Sequence, residues 1–377
     1  MKVEVAVFRD GRWAPALPLK LDGPQTLVVA FGSLSLEAAG EPMEELSAAF
    51  PNSVVLGCST AGEILDGDIL DDAIVASIVR FDRTTLRPAC APVDVIEASA
   101  AAGEAVASAL VRDDLRSVFV ISDGLNVNGS ELARGLNAVL PPGVIATGGL
   151  AADGDRFAST WIYSGGQMHQ SRIAAVGLYG DAIRIGHGSR GGWDIFGPER
   201  LVTRSEGSVL FELDGQPALG LYRQYLGDLA ANLPASALLF PLAVRLAASQ
   251  PPVVRTILGI DEAKQSLRFA GDIPQGAVAQ LMHANMDRLV DAAESAVGEA
   301  TRLAGERGGL CIAISCVGRR LVLGERTVEE TAAAFEALPS NVRQIGFYSY
   351  GELSPLASGS CDLHNQTMTI TVMAEAA

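Results

Sequence analysis

Apolar residues fall along this chain in two textures. Some segments are short continuous runs closed by glycine, and others alternate or recur at helical spacing. The stretches "TLVVAFG" (Thr26 to Gly32), "SVFVISDG" (Ser117 to Gly124) and "GGLCIAIS" (Gly308 to Ser315) are continuous. Such runs read as strands covered on both faces. A helical pattern follows each one. The first covers about Glu41 to Phe50. The second is "GSELARGLNAVL", with Ser130 as the expected cap. The third is "TVEETAAAFEAL", with Thr327 as cap and Glu330 in the capping-box position. A second apolar run then leads into a glycine and a loop. The pattern predicts strands at 27–31, 53–57, 117–122, 143–147, 310–315 and 342–347.

The same strand–helix–strand–loop unit therefore occurs three times. Phe31 to Gly57 and Ser122 to Gly148 are each separated by 26 positions, and Ser315 to Gly346 by 31. The closing loops are alike as well. "LGCSTAGE", "ATGGLAAD" and "IGFYSYGE" align with Glu63, Asp153 and Glu352 in one column, each preceded by a small residue, Gly62, Ala152 or Gly351. Internal similarity of this kind predicts duplicated α/β units about a common centre.

Strand-rich pieces separate the units. "DDAIVASIVRF" and "TTLRPACAPVDVI" meet at a turn at Asp82-Arg83, and Gly165-Gly166 marks a hairpin. "DAIRIGHGS" continues the sheet, and the glycine-rich "GHGSRGGW", with His187 and Arg190, reads as a crossing between strands. An Asp-Gly turn and Pro217 open a short helix, which sets an expected domain boundary at 215/216. The longest helical pattern is Leu281 to Leu303 and includes His283. The expected fold class is α/β (α+β), in two domains, 1–215 and 216–377, built from repeated β-α-β units with flanking antiparallel strands.

Charge and composition narrow the function. The 377 residues carry a net charge of −16, which repels phosphate backbones and anionic membranes. No apolar run reaches the ~18 residues of a membrane span, and Arg9 and Asp10 interrupt the N-terminal stretch before a secretory signal could form. The expectation is no nucleic acid, no membrane insertion and a cytoplasmic location. The five cysteines show no C-x-x-C spacing, as in a reducing compartment.

Chemistry is sparse. There is no Walker spacing, no G-x-G-x-x-G opening a helix and no G-x-S-x-G elbow. "CDLH" (Cys361 to His364) is a C-x-x-H pair without a partner pair. The loops are the better candidates, because ligands of α/β sheets sit outside the carboxyl ends of strands. The candidate ligand-binding residues are Ser59, Thr60, Gly62, Glu63, Asp153, Tyr348, Ser349, Tyr350, Gly351 and Glu352. Buried carboxylates there either pin their loops or line a shared pocket. A pair of them also admits acid–base chemistry, the enzyme alternative.

Several separated segments, "VVLGCSTAGEI", "TGGLAADGDRF", "WDIFGP", "LDGQPALGLYRQYLG" and "IGFYSYGELSP…LHNQTMT", together resemble FIST proteins, from about Thr26 to Thr371. The resemblance implies a FIST N-terminal domain followed by a FIST C-terminal domain, in a sensory, small-ligand-binding module of signal transduction. Family members occur alone or near signalling enzymes in bacteria, and fused to an F-box in animals. Some bacterial members are described as haem-binding nitric oxide sensors that regulate a histidine kinase. The expectation is a non-enzymatic sensor with no cofactor, binding a small molecule between its domains and signalling by protein contact. Haem, held by His364 or His187, is the alternative.

Overall fold

The computed structural model describes residues 1–245, 252–305 and 308–376. Its chain runs through one topological unit three times. The first pass is β1 (Lys2–Arg9), β2 (Arg12–Ala14), β3 (Thr26–Gly32), α1 (Leu36–Ala49), β4 (Val54–Ser59), the hairpin β5 (Glu63–Leu65) and β6 (Asp68–Leu70), and β7 (Ile74–Arg80). The second is β8 (Thr85–Pro92), α2 (Ser99–Leu110), β9 (Leu115–Ser122), α3 (Gly129–Val139), β10 (Ile145–Leu150), the hairpin β11 (Ile162–Ser164) and β12 (Gln167–His169), and β13 (Arg172–Tyr179). The third opens with β14 (Ile183–Arg190) and is then interrupted. Into it are set β15 (Asp194–Glu206), β16 (Val209–Leu213), β17 (Gln216–Pro217), α4 (Ala218–Leu226), β18 (Leu242–Arg245), β19 (Val253–Arg255), β20 (Ile257–Asp261), β21 (Ser266–Phe269) and β22 (Val278–His283). It resumes with α5 (Met286–Ala304), β23 (Gly309–Cys316), α6 (Val317–Leu323), α7 (Thr327–Glu336), β24 (Val342–Ser349), the hairpin β25 (Gly351–Pro355) and β26 (Cys361–His364), and β27 (Met368–Glu375).

All six strands expected from the apolar runs are present, and they pair in parallel as β3–β4, β9–β10 and β23–β24. Each repeat adds an antiparallel strand beside the first of the pair, β7, β13 or β27. The hairpins do not stay at home. β5 pairs with β24, β25 with β10 and β11 with β4. Each repeat thus completes the sheet of another, in a closed cycle of three.

The inward faces of the three sheets meet in one central core. Leu27, Val29 and Phe31 of β3 join Phe119 and Ile121 of β9 and Leu310, Ile312 and Ile314 of β23 there. Phe31 and Phe347 place their ring centroids 4.6 Å apart. The intervening residues face outward under helices. Val28 and Ala30 pack with Met43 and Leu46 of α1, and Val118 and Val120 pack in the cluster of α2 and α3. Continuous apolar runs are the sequence form of strands buried on both sides. Glycines Gly57, Gly148 and Gly346 recur at one place in the three units. A Cβ on them would lie 2.9, 1.7 and 1.8 Å from the carbonyl oxygens of Ala30, Val120 and Ala313 in the neighbouring strand.

The inserted segment forms its own eight-stranded sheet, ordered β19-β18-β22-β15-β16-β21-β20 with β17 beside β16. It is packed by α4 around a separate core that includes Val202, Leu219, Tyr222 and Phe269. The 215/216 position is the turn between β16 and β17.

Local details depart from the pattern. His283 ends strand β22, and the long helix begins only at Met286, capped by Asn285. Asn128, not Ser130, caps α3 by accepting from the Ser130 and Glu131 N–H groups. Thr327 is the first residue of α7 and closes no capping box, because its hydroxyl donates to the Gly324 carbonyl and Glu330 turns into the core. The "GHGSR" stretch is strand, not crossing. Its glycines let α5 lie against β14, since a Cβ on Gly186 would meet the Ala300 oxygen at 1.8 Å. Helix α2 carries no pattern that the sequence made distinct.

Candidate functional site

The three repeated loops follow β4, β10 and β24 and are stitched together directly. Ala61 N donates to the Tyr348 oxygen, Tyr348 N to the Gly62 oxygen, and Ala152 N to the Ser59 oxygen. The Ser59 hydroxyl accepts from Trp161 N at 2.9 Å. Tyr350 joins the third loop to the second, with its hydroxyl donating to Asp153 and its ring stacked on Phe157 at 4.4 Å. All the loop residues singled out in the sequence therefore meet in one region. Gly62 has a φ of +116°, and a Cβ there would sit 2.0 Å from Arg320 Nη1, so only glycine fits the turn.

Glu63 and Glu352 are equivalent. Glu63 lies opposite Phe347 of β24, and Glu352 lies opposite Gly149 of β10. Both are fully buried. Thr60 and Ser33 donate hydroxyls to Glu63. Ser349 donates to Glu352 at 2.6 Å, and Thr367 binds it through its hydroxyl at 2.9 Å and its N–H at 3.3 Å. Burial pushes each carboxyl up to about 8, against these hydrogen bonds, which favour the charged form. Burial favours the neutral form of both, and among the described residues neither forms an ion pair.

Asp153 is not the third member of this set. In the β11–β4 ladder the residue opposite Cys58 is Ile162. Since Gly57, Gly148 and Gly346 correspond, Cys58, Gly149 and Phe347 also correspond, and Ile162 takes the place of the glutamates. The second loop is longer, which moved the acid out of register in the sequence alignment. Asp153 instead accepts from Ala158 N, Ser159 N and Tyr350. Burial opposes its charge, but these bonds outweigh burial and hold its carboxyl below the usual range.

The segment after β26 closes the site. Thr367 holds Glu352, and Trp193 Nε1 donates to the Gln366 carbonyl at 2.7 Å. Gln366 reaches the Leu238 oxygen of the insert at 3.4 Å. Asn365 is fully buried, yet neither its Oδ1 nor its Nδ2 has a partner among the described residues. Nδ2 lies 3.7 Å from where a Cβ of Gly351 would stand.

Two arginines at this junction carried no recognisable sequence signal, and Glu330 was legible only as a capping-box residue. Arg319 and Glu330 form an ion pair at 2.5 Å with no exposure on either side chain. Arg319 also donates to the Gly191, Gln366 and Leu289 carbonyls, tying both ends of the insert to the core. Arg255 of the insert donates to the Leu363 oxygen at 2.8 Å and the Asp272 oxygen at 3.1 Å. An arginine looks alike in sequence whether it faces solvent or core.

The histidines proposed for haem are placed differently. His364 is buried, with Nε2 3.1 Å from the Ser354 oxygen and Nδ1 3.4 Å from Ser189 Oγ. Burial lowers its proton affinity. Both ring nitrogens are engaged, so His364 offers no free axial nitrogen, and the group does not fit this residue. His187 is half-buried on β14. Burial also pushes the Cys316 thiol up to about 12 and raises those of Cys58, Cys311 and Cys361, which suits packing and not nucleophilic attack.

A triplicated α/β core with buried acids at its loop junction is joined to a second packed sheet. The chain belongs to the FIST family. The FIST N domain matches residues 26–216 and the FIST C domain residues 218–355. Family membership carries a sensory, signal-transduction role. The chain is also similar to two uncharacterized proteins of Mycobacterium tuberculosis, MT0656 of strain CDC 1551 / Oshkosh and Rv0628c of strain ATCC 25618 / H37Rv. Each is 26% identical over 274 residues, covering 68% of both chains. Among the described residues no helix is long and apolar enough to cross a membrane.

Proposed function

We propose that this chain senses a small molecule taken up where the third Gly-Glu loop meets the inserted sheet, and that it reports occupancy by contact with a signalling protein such as a histidine kinase. Asn365 carries the reading. A buried amide with neither group hydrogen-bonded costs a few kcal/mol. Native folds keep such groups where a ligand or water completes them. Gly351 lies against this amide, and Ser349, Tyr350 and Glu352 belong to the same loop and hairpin. Ser59, Thr60, Gly62, Glu63 and Asp153 belong to the loops bonded to it, and would carry a change at the third loop to the other two. A cytoplasmic location fits this role. Native mass spectrometry of the purified protein tests the reading. The expected result is a bound small molecule that Asn365→Ala releases while the thermal melt stays cooperative. A protein that copurifies with nothing, and whose melting temperature no small-metabolite panel shifts, would end the proposal.

A further inference from the structure

Four of the five cysteines are buried, and Cys90 on β8 is exposed. β8 is the outer strand of its sheet. Its Pro88 and Pro92 carry no N–H, so the free edge is a poor partner for another strand and leaves the thiol open. Beside the thiol runs a groove of about 420 Å³. Val54 and Leu56 of β4 and Ser164 of β11 line it on one side, and Pro88 and Cys90 of β8 on the other.

Alternation along the strands decides which side chains enter this space. Ile162 belongs to the central core and Tyr163 to the cluster under α1, so Ser164 shares the inward face of Ile162. Leu86 belongs to the central core and Ala91 to the cluster of α2 and α3, so Cys90 shares the inward face of Leu86. Both side chains therefore point between the two sheets, where the groove lies. Ser164 is 3% exposed, and its hydroxyl has no hydrogen-bond partner among the described residues. Arg172 of β13 stands at the Cys90 end. Its Nη1 donates to Cys90 Sγ at 3.5 Å, and its Nε is shielded from water with no partner among the described residues. Among those residues the guanidinium forms no ion pair. A buried hydroxyl and a guanidinium that lack acceptors are completed by a group bearing oxygens, carboxylate above all.

We propose that Cys90 is a modification site, at which a small thiol carrying a carboxylate is joined as a mixed disulfide and lies in this groove. The Cys90 thiolate attacks one sulfur of the small molecule's symmetric disulfide. That S–S bond breaks and a new one forms to Sγ. The other half leaves as a thiolate and takes up the proton that Cys90 released. Arg172 holds the carboxylate of the appended half, and Ser164 donates its hydroxyl to an oxygen of the same group. The site is separate from Asn365 and does not depend on ligand uptake at the third loop.

Intact-mass and peptide mass spectrometry of the full chain follow the reaction with oxidised glutathione and with neutral 2-hydroxyethyl disulfide. Each rate is divided by that of the urea-unfolded chain with the same reagent. The expected result is one adduct per chain, at Cys90, reversed by dithiothreitol and absent in Cys90→Ser. The normalised rate should be about tenfold higher for oxidised glutathione, the worth of one charge-assisted hydrogen bond. The net charge of −16 works against an anionic reagent, so such a preference requires a local cation. Arg172→Met should abolish the preference. If that variant does not fold, concentrated sodium chloride on wild type is expected to abolish it instead, by screening the guanidinium. An adduct on another cysteine, equal normalised rates for the two reagents, or a preference that Arg172→Met or salt leaves intact overturns the proposal.

Discussion

Arg319 and Glu330 form an ion pair in which neither side chain has any exposure to solvent. Glu330 also receives the Ser315 and Tyr348 hydroxyls, each at 3.0 Å, and Arg319 spends its remaining donors on three carbonyls. The pair links α6, α7, β23 and β24 to the two ends of the insert. Removing one partner from such a pair leaves an uncompensated buried charge, which costs about 3–5 kcal/mol. Arg319→Met is expected to lose that much in urea denaturation. The double variant Arg319→Met/Glu330→Leu should recover part of it. A double variant no more stable than the single would show that the carbonyl contacts dominate.

The buried glutamates set a pH slope. Their folded values of about 8 lie above the ordinary glutamate value of 4.5. Between those values the unfolded chain releases protons that the folded chain keeps. Stability therefore falls as pH rises from about 4.5 to about 8, by up to ~1.4 kcal/mol per pH unit for each group. Glu63→Gln/Glu352→Gln is expected to flatten this slope and to equal or exceed wild type at pH 8. Melting curves at pH 5, 6, 7 and 8 on both proteins measure it, and parallel slopes would show that the carboxyls are already ionised in the fold.

Glycine tolerance should differ among the repeats. A Cβ on Gly148 or Gly346 meets a neighbouring strand's carbonyl oxygen at 1.7 or 1.8 Å, which only backbone movement relieves. On Gly57 the contacts are 2.9 Å, and one is the flexible end of Met43. Gly148→Ala and Gly346→Ala are expected to abolish soluble folded protein. Gly57→Ala should cost about 1–3 kcal/mol. Soluble yield and circular dichroism give the ranking.

Hemin added to the purified protein is expected to give no sharp Soret band that depends on His364, because both of its ring nitrogens are held inside the fold. Visible spectra of wild type and His364→Ala settle this. A band present in the first and absent in the second would restore the haem reading.

The sequence by itself determined the repeated units. Runs such as Leu27 to Phe31 are apolar at every position because both faces are covered, and that information is local. The likeness of Glu63 and Glu352 was legible for the same reason, since the flanking glycine and hydroxyl residues travel with them. Only the tertiary structure decided where the hairpins go. Nothing in β5, β11 or β25 names the strand of another repeat beside which it lies, because backbone pairing is nearly independent of side-chain identity. The longer second loop left Asp153 out of the acidic set, and the pairing of β11 with β4 put Ile162 in its place. It was also the fold that turned Glu330 inward to Arg319, and set Arg255 beside Leu363 across more than a hundred residues of chain. A charged side chain is written the same way in sequence whether water or protein surrounds it, and burial alone gives these residues their roles.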